Sequence, residues 1–291
     1  MTVILQLVVS ALGFGGIYAL AALGLTIIFK TSNVVNFAFG AMATVVAMVA
    51  WTANVSLGLP IALAWVLAIL GGGALGAAAE SVFLRRVEGA PPIVGIVMTL
   101  GLLLLVEGLT GLAWGYGPKV IPNVFSGPSI AIGPVFVDRN DLFITGLALA
   151  IAIGLHFFYA RTRLGLAVRA VAEDAEVASL MGISRRWVLA VSWAVGVAVT
   201  GAAATLAAPS ISLTPTMMDN IAVFAFAAAV LGGLGSLAGA VAGGFAVGIV
   251  ANLIAGYAST NLQLTLVFAL IVVVLYLRPQ GLFGRVARVR Q

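Results

Sequence analysis

Long, nearly uninterrupted apolar runs divide this chain, and they limit the fold more than any other feature. Hydrophobic residues make up 63% of the 291 residues and charged residues only 8%, against about 25% charged in a soluble domain. A helix that crosses a membrane needs about 20 apolar residues. The sequence therefore predicts an all-α, polytopic transmembrane helical bundle that forms one domain over residues 1–291.

The apolar runs predict about eight or nine spans. They lie at Ile4–Phe29, Val34–Trp51, Ile61–Leu84, Ile93–Trp114, Asp141–Ala160, Trp187–Ala208, Ile221–Leu234, Leu237–Ala255 and Leu262–Leu277. The seventh run is short and ends in glycines, so the seventh and eighth runs form either two spans or a re-entrant hairpin.

Lysine and arginine predict the orientation, because they concentrate in the cytoplasmic loops of membrane proteins. If the C-terminus is cytoplasmic, twelve of the 14 basic residues lie inside and two, Lys119 and Arg139, lie outside. The inside set is Lys30, Arg85, Arg86, Arg161, Arg163, Arg169, Arg185, Arg186, Arg278, Arg285, Arg288 and Arg290. Gly115–Asn140 and Pro209–Asn220 are then the main external loops.

Two apolar regions are interrupted in a way that a simple membrane anchor does not need. Polar residues break Gly24–Met42, and glycines crowd into Ala228–Gly244. Interrupted spans in both halves of a chain are typical of broken helices around a substrate site. The predicted pathway residues are Asn33, Asn36, Phe37, Gly40, Gly232, Gly233, Gly235 and Ser236. The alternatives are close helix packing by the glycines and helix capping by the asparagines.

The segment Arg161–Arg186 is charged, although apolar runs flank it on both sides. Its ionisable residues are Arg161, Arg163, Arg169, Glu173, Asp174, Glu176, Arg185 and Arg186. This composition predicts an amphipathic helical segment at the membrane surface, which something in the water phase contacts.

Several classes of function are excluded or disfavoured by the residues. There is no cysteine, and His156 is the single histidine, so we expect no metal site and no thiol chemistry. No nucleotide-binding G-x-x-x-x-G-K-[ST] motif and no hydrolase motif occurs, which predicts a chain that is not an enzyme and holds no cofactor. The basic residues flank apolar runs, so nucleic acid is not an expected partner. Glu80 and Glu107 lie in or near spans, where charge is costly.

Four segments resemble the LivH-type permease of ABC importers for branched-chain amino acids. They are ALGLTIIFKTSNVVNFAFGAM, GLAVRAVAEDAEVASLMGISRRWV, FAFAAAVLGGLGSLAGAVAGG and LRPQGLFGR, and they occur in the family's order. The resemblance implies a second permease subunit (a copy or a paralogue), two cytoplasmic ATPase subunits that hold ATP and magnesium, and an external solute-binding protein. It also implies the bacterial inner membrane.

The resemblance further identifies Arg161–Trp187 as a coupling segment, which docks on an ATPase subunit. The implied coupling residues are Arg169, Glu173, Asp174, Ala178, Met181, Gly182 and Ile183. Ala178 and Gly182 are four residues apart, so we expect them to share one helical face that permits close approach. The alternative is that the acidic residues only complement a helix dipole.

The expected function is inward transport of branched-chain amino acids or of a related neutral or zwitterionic solute. Urea and short amides stay open as substrates. An ion-coupled secondary transporter or channel would also use broken helices and Glu107, but it leaves the charged segment without a role. A membrane scaffold that transports nothing is the third possibility.

Overall fold

The computed structural model describes residues 2–87, 89–122, 127–278 and 280–284. The α-helices are α1 Thr2–Ser32, α2 Phe39–Trp51, α3 Ile61–Val82, α4 Pro92–Trp114, α5 Arg139–Arg161, α6 Arg163–Glu173, α7 Ala175–Leu180, α8 Arg185–Ala207, α9 Asp219–Gly232, α10 Leu237–Tyr257 and α11 Gln263–Leu277. A π-helical turn, Thr52–Ser56, continues α2, and short 3-10 turns cover Leu84–Val87 and Thr260–Leu262.

The prediction of a polytopic helical bundle is confirmed. In the described residues, eight helices are long and apolar enough to cross a membrane. The exception among the predicted spans is α9, which has 14 residues and is therefore only about 21 Å long, shorter than a hydrocarbon core of about 30 Å. The second span also begins later than predicted, at Phe39 and not at Val34.

Helices α1 and α8 form the centre of the bundle. Helix α1 packs on α10, α8, α5 and α9, and α8 packs on α1, α3 and α2. Alanine, glycine and threonine dominate the buried part of α8. Small side chains allow helix backbones to approach closely, which is the main source of packing energy between helices in lipid. The peripheral helices are α4 and α11, the latter packing on α9 and α10.

Contacts between loops define the two ends of the bundle. At one end Gln6 donates through Nε2 to the carbonyl of Phe136 at 2.8 Å, and Lys119 and Leu213 exchange two backbone hydrogen bonds of 3.0 Å. At the other end the amide of Leu282 donates to the carbonyl of Leu231 at 2.8 Å. The predicted external loops therefore meet at one end of the bundle, which we call the loop end.

The basic residues predicted to be inside gather at the opposite end, which we call the basic end. Lys30 is in the last turn of α1, and Arg85 lines the same cleft as Arg185 and Arg186. Successive spanning helices alternate in direction between the two ends. The described basic residues that were predicted to be inside therefore lie at one membrane face. Arg285, Arg288 and Arg290 lie outside the described residues.

Two features differ from the sequence-based expectation. The segment predicted as one amphipathic helix is two helices, because the backbone is extended at Asp174, where α6 ends and α7 begins. The loop end also contains a short antiparallel hairpin, β1 Ile130–Ile132 and β2 Val135–Val137. Alternating short runs beside Gly133 and Pro134 were the available signal for this hairpin.

Candidate functional site

A cavity of about 460 Å³ lies where α2, α4, α9 and α11 meet. Its size is in the range of small-molecule sites, about 300–1,000 Å³. The lining is Val35, Phe37, Phe39, Gly40, Ala41, Leu103, Glu107, Asp219, Ala222, Val223, Phe226 and Phe268. The wall is thus aromatic and aliphatic, with two carboxyl groups as its charged members.

The break between α1 and α2 shapes one wall of this cavity. Asn33 adopts a left-handed conformation with φ of 54°, which asparagine tolerates better than most residues. The side chain of Asn36 accepts a hydrogen bond from the amide of Ala38 at 3.0 Å, just before α2 starts. The hydroxyl of Thr99 on α4 donates to the carbonyl of Val35 at 3.2 Å. These bonds satisfy unwound backbone and hold Val35 and Phe37 against the cavity.

The opposite wall comes from the start of α9. Phe226 of α9 faces Phe37, with ring centroids 6.3 Å apart. Asp219, the first residue of α9, lines the same cavity as Glu107 on α4. Glu107 is about two helical turns inside the end of α4, so this carboxyl pair lies within the membrane-spanning part of the bundle.

The structure brings only part of the predicted pathway together. Phe37 and Gly40 line the cavity. Asn36 is fully buried and Asn33 is exposed, and neither lines the cavity. The oxygen of Asn36 accepts from the amide of Ala38, which is the N-cap residue of α2, so Asn36 holds the turn before α2 and does not cap the helix itself.

The glycine-rich group does not line this cavity, so its place in the pathway stays a prediction. Gly232, Gly233, Gly235 and Ser236 form the turn between α9 and α10 at the basic end. Ser236 caps α10 by accepting from the amide of Gly239 at 3.0 Å. A Cβ atom on Gly232 would collide with the backbone of Gly239. Close packing, the alternative reading, describes Gly232 but not Gly235, which has open space where a Cβ atom would lie.

Sequence reasoning missed Asp219 and Phe226 and did not assign Glu107 a site. The available signals were two acidic residues in or beside apolar runs, since ionisable groups at such depth are functional candidates. Glu80 differs, because this buried carboxylate binds Arg85 at 3.1 Å. Within the described residues, no group of three or more metal-binding side chains lies together.

The coupling segment lies at the basic end. Asp174 caps α7, its carboxylate accepting from the amides of Glu176 and Val177, each at 3.0 Å. Arg169 points its guanidinium at the carbonyls of Gly165 and Ala160, 3.4 and 3.5 Å away. Asp174 is therefore a helix cap, as the alternative reading expected, while Glu173 is exposed.

The prediction that Ala178 and Gly182 share one helical face is wrong, because α7 ends at Leu180. Ala178 is 3% exposed and packs inward in a cluster that includes Val171 and Val188. Gly182 lies beyond the end of α7 with φ of 82°. The amide of Ile183 donates to the carbonyl of Ala178, and that of Gly182 to Ser179, each at 3.0 Å. This is a Schellman motif, whose left-handed position favours glycine.

The outer surface of the coupling segment is instead an apolar patch, formed by Val177, Leu180 and Met181. Leu180 is 87% exposed and Met181 78%. Sequence reasoning included Met181 but missed Leu180 and Val177. Beside this patch, an open cleft of about 710 Å³ is lined by Arg85, Arg185 and Arg186, among other residues. An apolar patch with a basic rim is typical of a protein-docking surface.

Replacing Gly182 with alanine is expected to loosen the turn between α7 and α8. A Cβ atom in the left-handed conformation costs about 1 kcal/mol, so amide hydrogen exchange at Ile183 should accelerate about fivefold. Gly182→Asn is the matched control, because asparagine tolerates this conformation. Equal exchange rates in the alanine variant and the parent chain would contradict this account of Gly182.

Comparison with known proteins identifies the family of this chain. The family described as "Branched-chain amino acid transport system / permease component" matches residues 7–277. The chain belongs to this family. Family membership confirms the LivH-type resemblance and the prediction of a transport subunit that is not an enzyme. The protein is a multi-pass membrane protein, and it works as one component of a transport system.

Relatives of the family align over almost their whole length. The branched-chain amino acid permease protein BraD of Pseudomonas aeruginosa is 29% identical over 97% of this chain and 96% of that protein. LivH of Escherichia coli K12 is 29% identical with the same coverage. A probable LivH of Methanocaldococcus jannaschii is 29% identical over 94% of this chain and 90% of that protein. No solved structure matches the chain.

Proposed function

We propose that this chain is the permease subunit of an ABC importer that moves branched-chain amino acids inward. The observation that carries the proposal is the exposed apolar patch of Val177, Leu180 and Met181. These side chains are exposed at the basic end of the bundle. A subunit that docks there can transmit a nucleotide-driven movement to α8, because α7 packs on α8. The relatives named as branched-chain amino acid permeases suggest the substrate.

The basic end faces the cytoplasm in this proposal, in keeping with the preference of lysine and arginine for that side. The C-terminus is then cytoplasmic, and the membrane is the bacterial inner membrane. Residues 1–291 act as one transmembrane domain. The partners are a second permease subunit, two ATPases at the basic end that hold ATP and magnesium, and a solute-binding protein at the loop end.

The cavity between α2, α4, α9 and α11 is the section of the pathway that this chain contributes. Asp219 is exposed and Glu107 is half-buried in the isolated chain. Carboxyl groups at this depth are costly against lipid. A second permease subunit over this face would shield both groups and would enclose the pathway between the two subunits.

The carboxyl pair also favours a second candidate, an ion-coupled carrier. Paired carboxyl groups inside a membrane bundle are common in proton relays. Such a carrier would need no ATPase, and the apolar patch on the coupling segment would then have no partner.

Co-purification with candidate ATPases and binding proteins from the same genome tests the proposal. We expect a stable complex whose ATP hydrolysis in liposomes rises when the binding protein carries L-leucine, and does not rise with urea. Stimulation by urea alone would move the substrate class to short amides. A monodisperse chain that never binds the ATPases would refute the proposal in favour of the ion-coupled carrier.

A further inference from the structure

The carboxyl pair of Glu107 and Asp219 is not explained by the fold. Two carboxylates that line one small, largely apolar cavity repel each other unless a proton or another cation lies between them. Among the residues that the structure describes, no lysine or arginine lines the cavity. The positive charge that the pair requires is therefore not supplied by the lining.

The remainder of the cavity is apolar. Phe37, Phe39, Phe226 and Phe268 contribute aromatic surface, and Leu103 contributes an aliphatic side chain. A solute that fills this space therefore needs a cationic group for the acidic end and a hydrocarbon group for the aromatic end. The volume of about 460 Å³ is enough for a small ligand but small for a peptide.

A second polar group near the lining is also unsatisfied. The side-chain nitrogen of Asn36 is buried and has no hydrogen-bond partner among the described residues. Asn36 stands in the chain between Val35 and Phe37, which both line the cavity. Buried amide donors are almost always paired, but Asn36 itself does not line the cavity, so we assign this donor no contact with a solute.

We propose that Glu107 and Asp219 bind the ammonium group of the transported solute, which limits the cavity to aliphatic amines and zwitterionic amino acids. The proposal rests on the proposed function for the identity of the solute. In this proposal, Glu107 and Asp219 are the residues that select amino acids over urea and short amides. A neutral amide leaves the two carboxyl groups without a cation, so the pair discriminates against it.

Carbodiimide labelling tests the pair in the wild-type chain. Dicyclohexylcarbodiimide modifies protonated carboxyl groups in apolar surroundings, and peptide mass spectrometry locates the adduct. We expect L-leucine and 3-methylbutylamine to slow labelling of Glu107 or Asp219 about tenfold. 4-Methylpentanamide, which has a similar hydrocarbon group but no ammonium, is expected to have no effect. Equal protection by the amide, or no protection by leucine, would overturn the proposal.

Transport by the reconstituted complex gives a second measurement. Glu107→Gln and Asp219→Asn, alone and together, are expected to raise the half-saturating concentration of L-leucine about tenfold or more, since each removes one partner of a charge pair. Asp141→Asn is the matched control, a carboxyl group on α5 outside the cavity lining. A double variant with the half-saturating concentration of the parent complex would overturn the proposal.

The two measurements separate this inference from the proposed function. Labelling needs the chain with its second permease subunit but no ATPase, so it succeeds or fails whether or not ATPases bind. A chain that leucine protects, but that ATPases never bind, would retain the ammonium site and lose the ABC assignment.

Discussion

Gly232→Ala is expected to destabilise the fold strongly, whereas Gly235→Ala, three residues later, is expected to have almost no effect. A Cβ atom on Gly232 would collide with the carbonyl of Gly239, and a Cβ atom on Gly235 would have nothing within 4 Å. The carbonyl carbon and oxygen of Gly239 belong to the backbone, so no side-chain rotation relieves the overlap at Gly232.

The expected cost at Gly232 is about 3 kcal/mol, the upper range for overpacking. Alanine also improves helix propensity over glycine by about 1 kcal/mol, which is too little to offset the collision at the end of α9. At Gly235 the change should stay within about 0.5 kcal/mol, because this glycine is exposed in the turn and its φ is not positive.

Unfolding by SDS titration in mixed micelles measures both variants, with fluorescence of the five tryptophans as the signal. Equal stabilities would show that α9 and α10 do not cross at Gly232 and Gly239. Transport measured on the Gly235 variant adds a second result. Parent-level transport would agree with a glycine turn outside the pathway, and loss of transport in a stable variant would return this turn to the pathway.

The second large effect is expected at the apolar patch of the coupling segment. Leu180→Asp with Met181→Asp should weaken ATPase binding about 30-fold or more, since the loss of a central apolar contact costs such an interface about 2 kcal/mol or more. The fold should be unaffected within about 0.5 kcal/mol, because both side chains point away from the bundle.

Val120→Asp is the control for this pair. Val120 is 76% exposed at the loop end, where no ATPase is expected. Binding is measured by the dissociation constant of the ATPase subunit for the detergent-solubilised chain. The docking assignment fails if the double variant binds as the parent does, or if Val120→Asp weakens binding as strongly.

Helix positions and the distribution of charge were predictable from local sequence. A run of about 20 apolar residues has few alternatives to a spanning helix, because lipid offers the backbone no hydrogen-bond partners. The polar residues after Phe29 correctly marked the break before α2. The break extends to Ala38 because Asn33 turns the chain and Asn36 binds the amide of Ala38, a detail that apolar run length does not encode.

The candidate cavity depended on tertiary structure. Glu107 and Asp219 are 112 positions apart in the sequence (219 minus 107) and share a wall only because α4 and α9 flank the same break. The glycines in residues 232–235 are as compatible with a broken helix in the pathway as with a tight turn. Only the contact with Gly239 identifies the turn.

Ala178 and Leu180 also show which information came from the sequence and which from the tertiary structure. Their charged surroundings and the LivH-type pattern identified the segment, but the burial of Ala178 in the cluster with Val171 and Val188 decided which face is free. The hydrophobic effect specifies which segments leave water, and it acts on each segment alone. In lipid it does not specify which helix faces meet, because that choice rests on the fit of small side chains between helices distant in sequence.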